Sequence, residues 1–161
     1  MMESAKPDRG RSLLSIHIDG ASRGNPGRAG AGVWITDRDG KGQAEICRYL
    51  GHKTNNEAEY WALLLGLREA KRLGGESIRI FTDSELVARQ VNGVYRVRNL
   101  NLKSLHRVVI ENLKGFASFE IVSIPREQNR EADRLANLAI ERRVAREEKG
   151  EVRRGMDGRS A

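Results

Sequence analysis

Between Leu13 and Gly27 the chain alternates apolar and polar residues, then runs into a cluster of turn formers, Gly24, Asn25, Pro26 and Gly27. Leu14, Ile16 and Ile18 fall on one face and Ser15, His17 and Asp19 on the other, the period of a half-buried strand. The spacing predicts a strand that closes at Asp19, with Gly20 and the turn-rich segment stopping it. A carboxylate at the carboxyl end of a buried strand is costly unless it opens into a cleft or meets a cation. A turn-starting Asp before Gly is the plainer alternative. Three further acids placed where they can meet Asp19 favour the cleft.

Gly30–Thr36 and Gln43–Leu50 read as two more strands, joined through Asp37-Arg38-Asp39-Gly40, whose Asp-Gly pair marks a hairpin. Three antiparallel strands in succession are expected. Thr54 opens a helix that runs to about Leu73 and ends at Gly74-Gly75. Thr54-Asn55-Asn56-Glu57 has the capping-box pattern, with Glu57 able to reach back to the cap N–H. Glu59 lies two residues further, roughly 200° around the axis. The two glutamates therefore cannot face one site, and Glu59 is the one without a local task. Ser77–Thr82 is the next strand, followed by Asp83 and Ser84. A strand, a long helix and a strand lay the strands parallel. Asp19 and Asp83 then emerge side by side at the carboxyl edge, where open α/β sheets place their sites.

Glu85–Asn92 and Leu100–Leu113 read as helices, the second with Leu102, Leu105, Val109 and Leu113 at helical spacing. Ser118–Ile124 is a fifth strand closed by Pro125. Asn129 to about Arg143 is the last helix, with Ala132, Leu135, Ala136 and Ala139 on its buried side and Asp133 in its first two turns. Residues 1–12 lack periodicity and read as a flexible lead-in, residues 13–145 as one domain, and residues 146–161 as a charged, disordered tail.

A length of 161 residues suits one domain with a real core. The formal charge of +7 is uneven, because residues 142–161 alone hold seven basic and four acidic side chains. Global charge is thus weak evidence for a nucleic-acid partner, and local charge matters more. Cys47 is the only cysteine, which excludes an intrachain disulfide and a cysteine-built zinc cluster and suits a reducing cytoplasm. No apolar stretch approaches the roughly 18–20 residues of a membrane span, and the amino terminus has no signal-peptide core. A cytoplasmic location is expected.

Four motifs stand in order: Asp19-Gly-Ala-Ser with Gly24-Asn-Pro-Gly, Thr54-Asn-Asn-Glu-Ala-Glu59, Thr82-Asp83-Ser84, and Asn129-Arg-Glu-Ala-Asp133 leading into Leu135-Ala. Over roughly Leu13 to Arg143 the sequence resembles type 1 ribonuclease H. The resemblance implies an α/β fold, a five-stranded mixed sheet of order 3-2-1-4-5 with helices on both faces. It implies an endoribonuclease that hydrolyses the RNA strand of RNA–DNA hybrids, leaving 5′-phosphate and 3′-hydroxyl ends, with two Mg²⁺ or Mn²⁺ ions. Phosphodiester hydrolysis needs a nucleophile from water and relief of charge on the leaving 3′ oxygen, and two divalent ions about 4 Å apart supply both. Hard cations take oxygen ligands, and Mg²⁺ takes few protein carboxylates beside water and phosphate. By resemblance Asp19 bridges both metals, Asp83 supports the side of the attacking water, and Glu59 and Asp133 complete the coordination. Glu59 is also placed to sense the ribose 2′-OH. Asn25, Thr54 and Asn55 match positions that contact the sugar–phosphate backbones in the family. Thr54 would hold a phosphate at a helix amino end, where N–H groups favour an anion. Ser84 reads as a helix cap.

Two departures from the family pattern stand out. Many relatives carry a basic handle, a helix with tryptophans and lysines, between the third and fourth acids. Here Leu86 to Ile110 holds Arg89, Arg96, Arg98, Lys103 and Arg107, no acid, and Tyr95 as its single aromatic residue. It reads as an abbreviated substitute, with Arg96 and Arg98 as backbone-binding candidates. Most relatives also carry a histidine on the loop before the final helix, and this loop reads Ile124-Pro125-Arg126-Glu127-Gln128. Arg126 is its one cation. Arginine stays protonated and cannot be a general base, but its forked donors suit the scissile or departing phosphate. Pairing with Glu127 or Glu131 is the alternative. Competing readings are a non-catalytic hybrid- or RNA-binding module of the same fold, and a nuclease that also cuts double-stranded RNA. Four crowded acids repel phosphate unless metal is bound, which argues against the first. The expected partner is an RNA–DNA hybrid, with double-stranded RNA as a second candidate, and the expected state is a monomer.

Overall fold

The computed structural model describes residues 12–150, so the expected lead-in, apart from Ser12, and most of the expected tail lie outside the described residues. Five strands, β1 (Leu13–Gly24), β2 (Gly27–Thr36), β3 (Gly42–Lys53), β4 (Ser77–Thr82) and β5 (Ser118–Ser123), form one sheet of order β3-β2-β1-β4-β5. Among the described residues after β1, the helices are α1 (Asn55–Arg72), α2 (Glu85–Val91), α3 (Leu100–Leu113) and α4 (Arg130–Glu148), with a 3-10 turn at Arg126–Gln128. β1 pairs antiparallel with β2 and parallel with β4, and β5 adds parallel to β4. This is the mixed sheet expected from the resemblance.

Ile16, Ile18 and Val33 share the face under α1, where a Cβ on Gly66 would stand 2.9 Å from the Ile16 side chain. α3 packs against α1 from outside. With Leu63, Leu67, Ile78, Ile80 and Val109 these residues form a closed core, each large side chain contributing about 1.5–3 kcal/mol by leaving water. α4 crosses the opposite face over β2, so close that a Cβ on Gly32 would lie 2.0 Å from the Ala132 carbonyl oxygen. Glycine is required there by the approach of two backbones. His17 is packed on this face between Phe81 and Trp34, with ring centroids 4.7 and 5.4 Å away.

Several element ends differ from the sequence reading. β1 does not close at Asp19. Its parallel pairing with β4 ends at His17, but its ladder with β2 continues to Gly24 opposite Gly27. Backbone pairing persists there through glycines and polar residues that carry no apolar alternation, and β2 and β3 extend for the same reason. Asp19 therefore sits in mid-strand, just past the point where its parallel neighbour stops. α4 continues beyond Arg143, and through Arg146 where disorder was expected, to Glu148. Its last turn is fastened by the buried Glu147, which accepts from Arg28 Nη1 at 2.6 Å and Arg143 Nε at 3.4 Å.

Candidate active site

Four elements each bring one acid to the carboxyl edge of the central strands. Asp19 comes from β1, Glu59 from the second turn of α1, Asp83 from the residue after β4, and Asp133 from the first turn of α4. Glu57 is occupied as the sequence predicts: its Oε1 accepts from the Thr54 N–H at 2.8 Å while Thr54 Oγ1 accepts from the Glu57 N–H at 3.1 Å. Glu59 points the other way, accepting from the Gly20 N–H at 2.7 Å and from Thr82 Oγ1 at 3.1 Å. Gly20 makes this possible, since a Cβ there would stand 2.2 Å from the Ala58 carbonyl carbon.

One carboxylate oxygen from each of Asp19, Glu59 and Asp83 can be chosen so that all lie within 4.8 Å of one another. Asp133 lines the same cleft of about 500 Å³ but stands outside that trio. Burial first, then the Glu59 and Asp83 charges, push the Asp19 carboxyl well above the usual carboxylate range. Glu59 is raised by burial, partly offset by the hydrogen bonds it shares with Asp19, Gly20 and Thr82. Burial also raises Asp83, and the Arg126 charge pulls it back. Three such groups cannot all ionise without positive charge between them. An all-oxygen, hard donor set with that deficit fits Mg²⁺ or Mn²⁺.

Around the acids, Asn55 lines the cleft and donates its N–H to Asn25 Oδ1 at 3.0 Å, so two of the expected backbone contacts are brought together. Thr54, beside them, caps α1. Arg126 lines the cleft at 74% side-chain exposure and pairs with Asp133 Oδ1 at 3.4 Å, rather than with Glu127 or Glu131. Arg96 lies apart, in a groove lined also by Tyr95, Lys103 and Arg107. Arg98 is exposed and lines neither this groove nor the cleft. Ser84 caps α2 by accepting from the Val87 N–H at 3.2 Å, and also lines the cleft. Among the described residues no histidine lines the cleft.

Sequence reasoning missed three members. Asn129, 1% exposed, donates Nδ2 to the Ile18 carbonyl at 2.8 Å and so ties the start of α4 to the residue before Asp19. Asn137 donates to Asp133 Oδ1 at 3.3 Å, and Arg23 reaches Asn137 from β1. The i, i+4 spacing of Asp133 and Asn137 was a legible signal, because such residues share a helix face. The tertiary contacts of Asn129 and Arg23 left no such mark.

Residues 17–139 match a family model described as reverse transcriptase-like. Ribonuclease HI of Halobacterium salinarum is 39% identical over 136 residues, covering 84% of this chain and 68% of that protein. The chain belongs to the ribonuclease H family. The crystal structure of RNase H1 from the same archaeon superposes with a TM-score of 0.79 at 38% identity, over 80% of this chain and 98% of that one. The N-terminal RNase H domain of Rv2228c from Mycobacterium tuberculosis gives 0.78 at 37% identity, over 80% and 98%. This ribonuclease H spans 35% of the whole bifunctional protein Rv2228c. LC11-RNase H1, solved in complex with RNA/DNA hybrid, gives 0.78 at 38% identity, over 81% and 99%.

Proposed function

We propose that this ribonuclease H hydrolyses the RNA strand of RNA–DNA hybrids, leaving 5′-phosphate and 3′-hydroxyl ends, with two Mg²⁺ or Mn²⁺ ions held by Asp19, Glu59, Asp83 and Asp133. The observation that carries the reading is the gathering of three carboxylates within 4.8 Å from elements far apart in the chain. A purely binding module of this fold would gain nothing from an anionic cluster facing a phosphate backbone. When bound, a pair of divalent cations supplies an activated water and relief of charge on the leaving oxygen.

The protein's own part is positional. Asp19, between Glu59 and Asp83, presents oxygen to both halves of the site. Glu59 is locked by Gly20 and Thr82, so its carboxylate keeps one orientation toward the cleft. Arg126, at the cleft wall, holds the scissile or departing phosphate through its fork. Asn25 and Asn55, with Thr54 at the amino end of α1, receive a backbone phosphate where helix N–H groups already favour an anion. Arg96 and Arg98 extend the charged track beyond the cleft. We assign this activity to the domain that begins at Leu13 and closes with α4, acting as a monomer because one chain supplies every acid. No helix among the described residues is long and apolar enough to cross a membrane. A cytoplasmic setting is proposed, in keeping with Cys47 as the single, unpaired cysteine.

The test labels each strand of a hybrid, an RNA duplex and a DNA duplex in turn and follows cleavage with Mg²⁺ and with Mn²⁺. Cleavage confined to the RNA strand of the hybrid, and lost in Asp19→Asn, is expected. Equal cutting of the RNA duplex would broaden the substrate class, and Asp19→Asn activity within about tenfold of wild type would overturn the site.

A further inference from the structure

Among the described residues two arginines line the carboxylate cleft, each held by a side chain on the same face of α4. Arg126 lies against the carboxylate of Asp133. Arg23, at the end of β1, is held differently: its Nη2 donates to the neutral Asn137 Oδ1 at 3.0 Å. Among the described residues its ion-pair partner is Glu141, at a loose 3.6 Å from the same Nη2, with side chains 47% and 62% exposed. An ion pair that open to water neutralises little. Asn137 is itself oriented by the Asp133 end of the helix, donating Nδ2 to the Asp133 carbonyl at 3.0 Å and to its Oδ1 at 3.3 Å. One amide thus fixes a guanidinium relative to the fourth acid. Beside an anionic cluster, that guanidinium is tied to a neutral group.

We infer that Arg23 is a phosphate-binding residue of the cleft, placed by Asn137 to receive a backbone phosphate of the hybrid adjoining the one cut. The inference rests on the substrate reading above. Both contacts of Arg23 use one nitrogen, Nη2, so among the described residues the N–H donors of Nε and Nη1 remain for phosphate oxygens, each bonded singly. Arg23 then offsets the repulsion that the acids exert on an incoming backbone, and it acts on affinity rather than on the chemical step.

The experiment compares Arg23→Ala, Arg23→Gln and Arg23→Lys in the full chain. Hybrid affinity is read by fluorescence anisotropy across a salt series in an Asp19→Asn background, and KM and kcat in the active background. Arg23→Ala should raise Kd and KM about three- to tenfold, flatten the slope of log K against log salt by about one, and leave kcat within about twofold. Glutamine keeps a donor for Asn137 but no charge and should behave as alanine does, whereas lysine should recover most of the affinity and the slope. Recovery by glutamine would show a structural link to Asn137 and overturn the assignment. Unchanged affinity and slope in Arg23→Ala, with wild-type cleavage of the hybrid intact, would overturn it alone. A wild-type chain that leaves the hybrid uncut would bring down the substrate reading and this inference with it.

Discussion

Glu57 and Glu59 stand two positions apart on α1 and meet opposite surroundings, one closing the helix cap and the other bound to Gly20 and Thr82 inside the cleft. Glu57→Gln keeps an oxygen for the Thr54 N–H, so turnover and unfolding temperature should stay near wild type. Glu59→Gln keeps the same acceptor for Gly20 but loses its charge, and kcat should fall by about a hundredfold or more with little change in stability. Steady-state kinetics and thermal melts on the two variants decide this, and the opposite pattern would reverse the assignment. This distinction was legible because helix phase and a capping box are local properties. The partner of Arg126 was not, since its rivals Glu127 and Glu131 are nearer in sequence than Asp133, and only the turn at Arg126–Gln128 selects among them. Arg126→Ala should lower kcat about ten- to a hundredfold, as expected for losing one positioned charge-stabilising donor. Normal turnover would leave Arg126 as a surface partner of Asp133.

At the scale of elements, α1 and α3 were readable to within a residue or two because caps and apolar period agree there. Strand ends were less so, since the β1–β2 ladder runs on through Ser22, Arg23 and Gly24 without any pattern of burial to announce it. The end of α4 was hidden for a different reason: Glu147 looks like tail charge in the sequence, and its partner Arg28 lies on β2 at the far end of the chain. The Arg28 guanidinium, foremost, holds the Glu147 carboxyl below the usual carboxylate range. Such a depressed carboxyl contributes stability above its unfolded pKa of about 4.3 and loses it as pH falls through the folded value. Arg28→Ala should therefore lower the unfolding temperature by about 2–6 °C at pH 7, with the deficit shrinking below pH 4. Hydrogen exchange at residues 144–148 should accelerate in the same variant. Unchanged protection there would mean that α4 holds its last turn through apolar contacts alone.

For the molecule as a whole, the fold concentrates in one cleft acids that the unfolded chain keeps far apart, so folding and cation binding are linked. Asp19, Glu59 and Asp83 all have carboxyls raised above their ordinary range, burial being the leading cause in each. In the unfolded chain the same groups ionise near pH 4. Between that point and their raised folded values, the folded, metal-free protein binds more protons than the unfolded one, so its stability falls as pH rises. Below about pH 4 both states are protonated and the penalty vanishes. Chelator-treated wild type should consequently lose unfolding temperature between pH 5 and pH 8 more steeply than Asp19→Asn, which carries one fewer charge in the cluster. At pH 8 the variant should melt about 2–6 °C higher. Mg²⁺ should reverse the order, stabilising wild type by RT ln(1 + [Mg²⁺]/Kd) and the variant far less. Calorimetric titration with Mg²⁺ near pH 7 should show heats that depend on the buffer, because binding expels the protons that burial retains. Parallel melting curves for wild type and Asp19→Asn across that pH range would mean that water already compensates the cluster, and that the three acids do not wait for a cation.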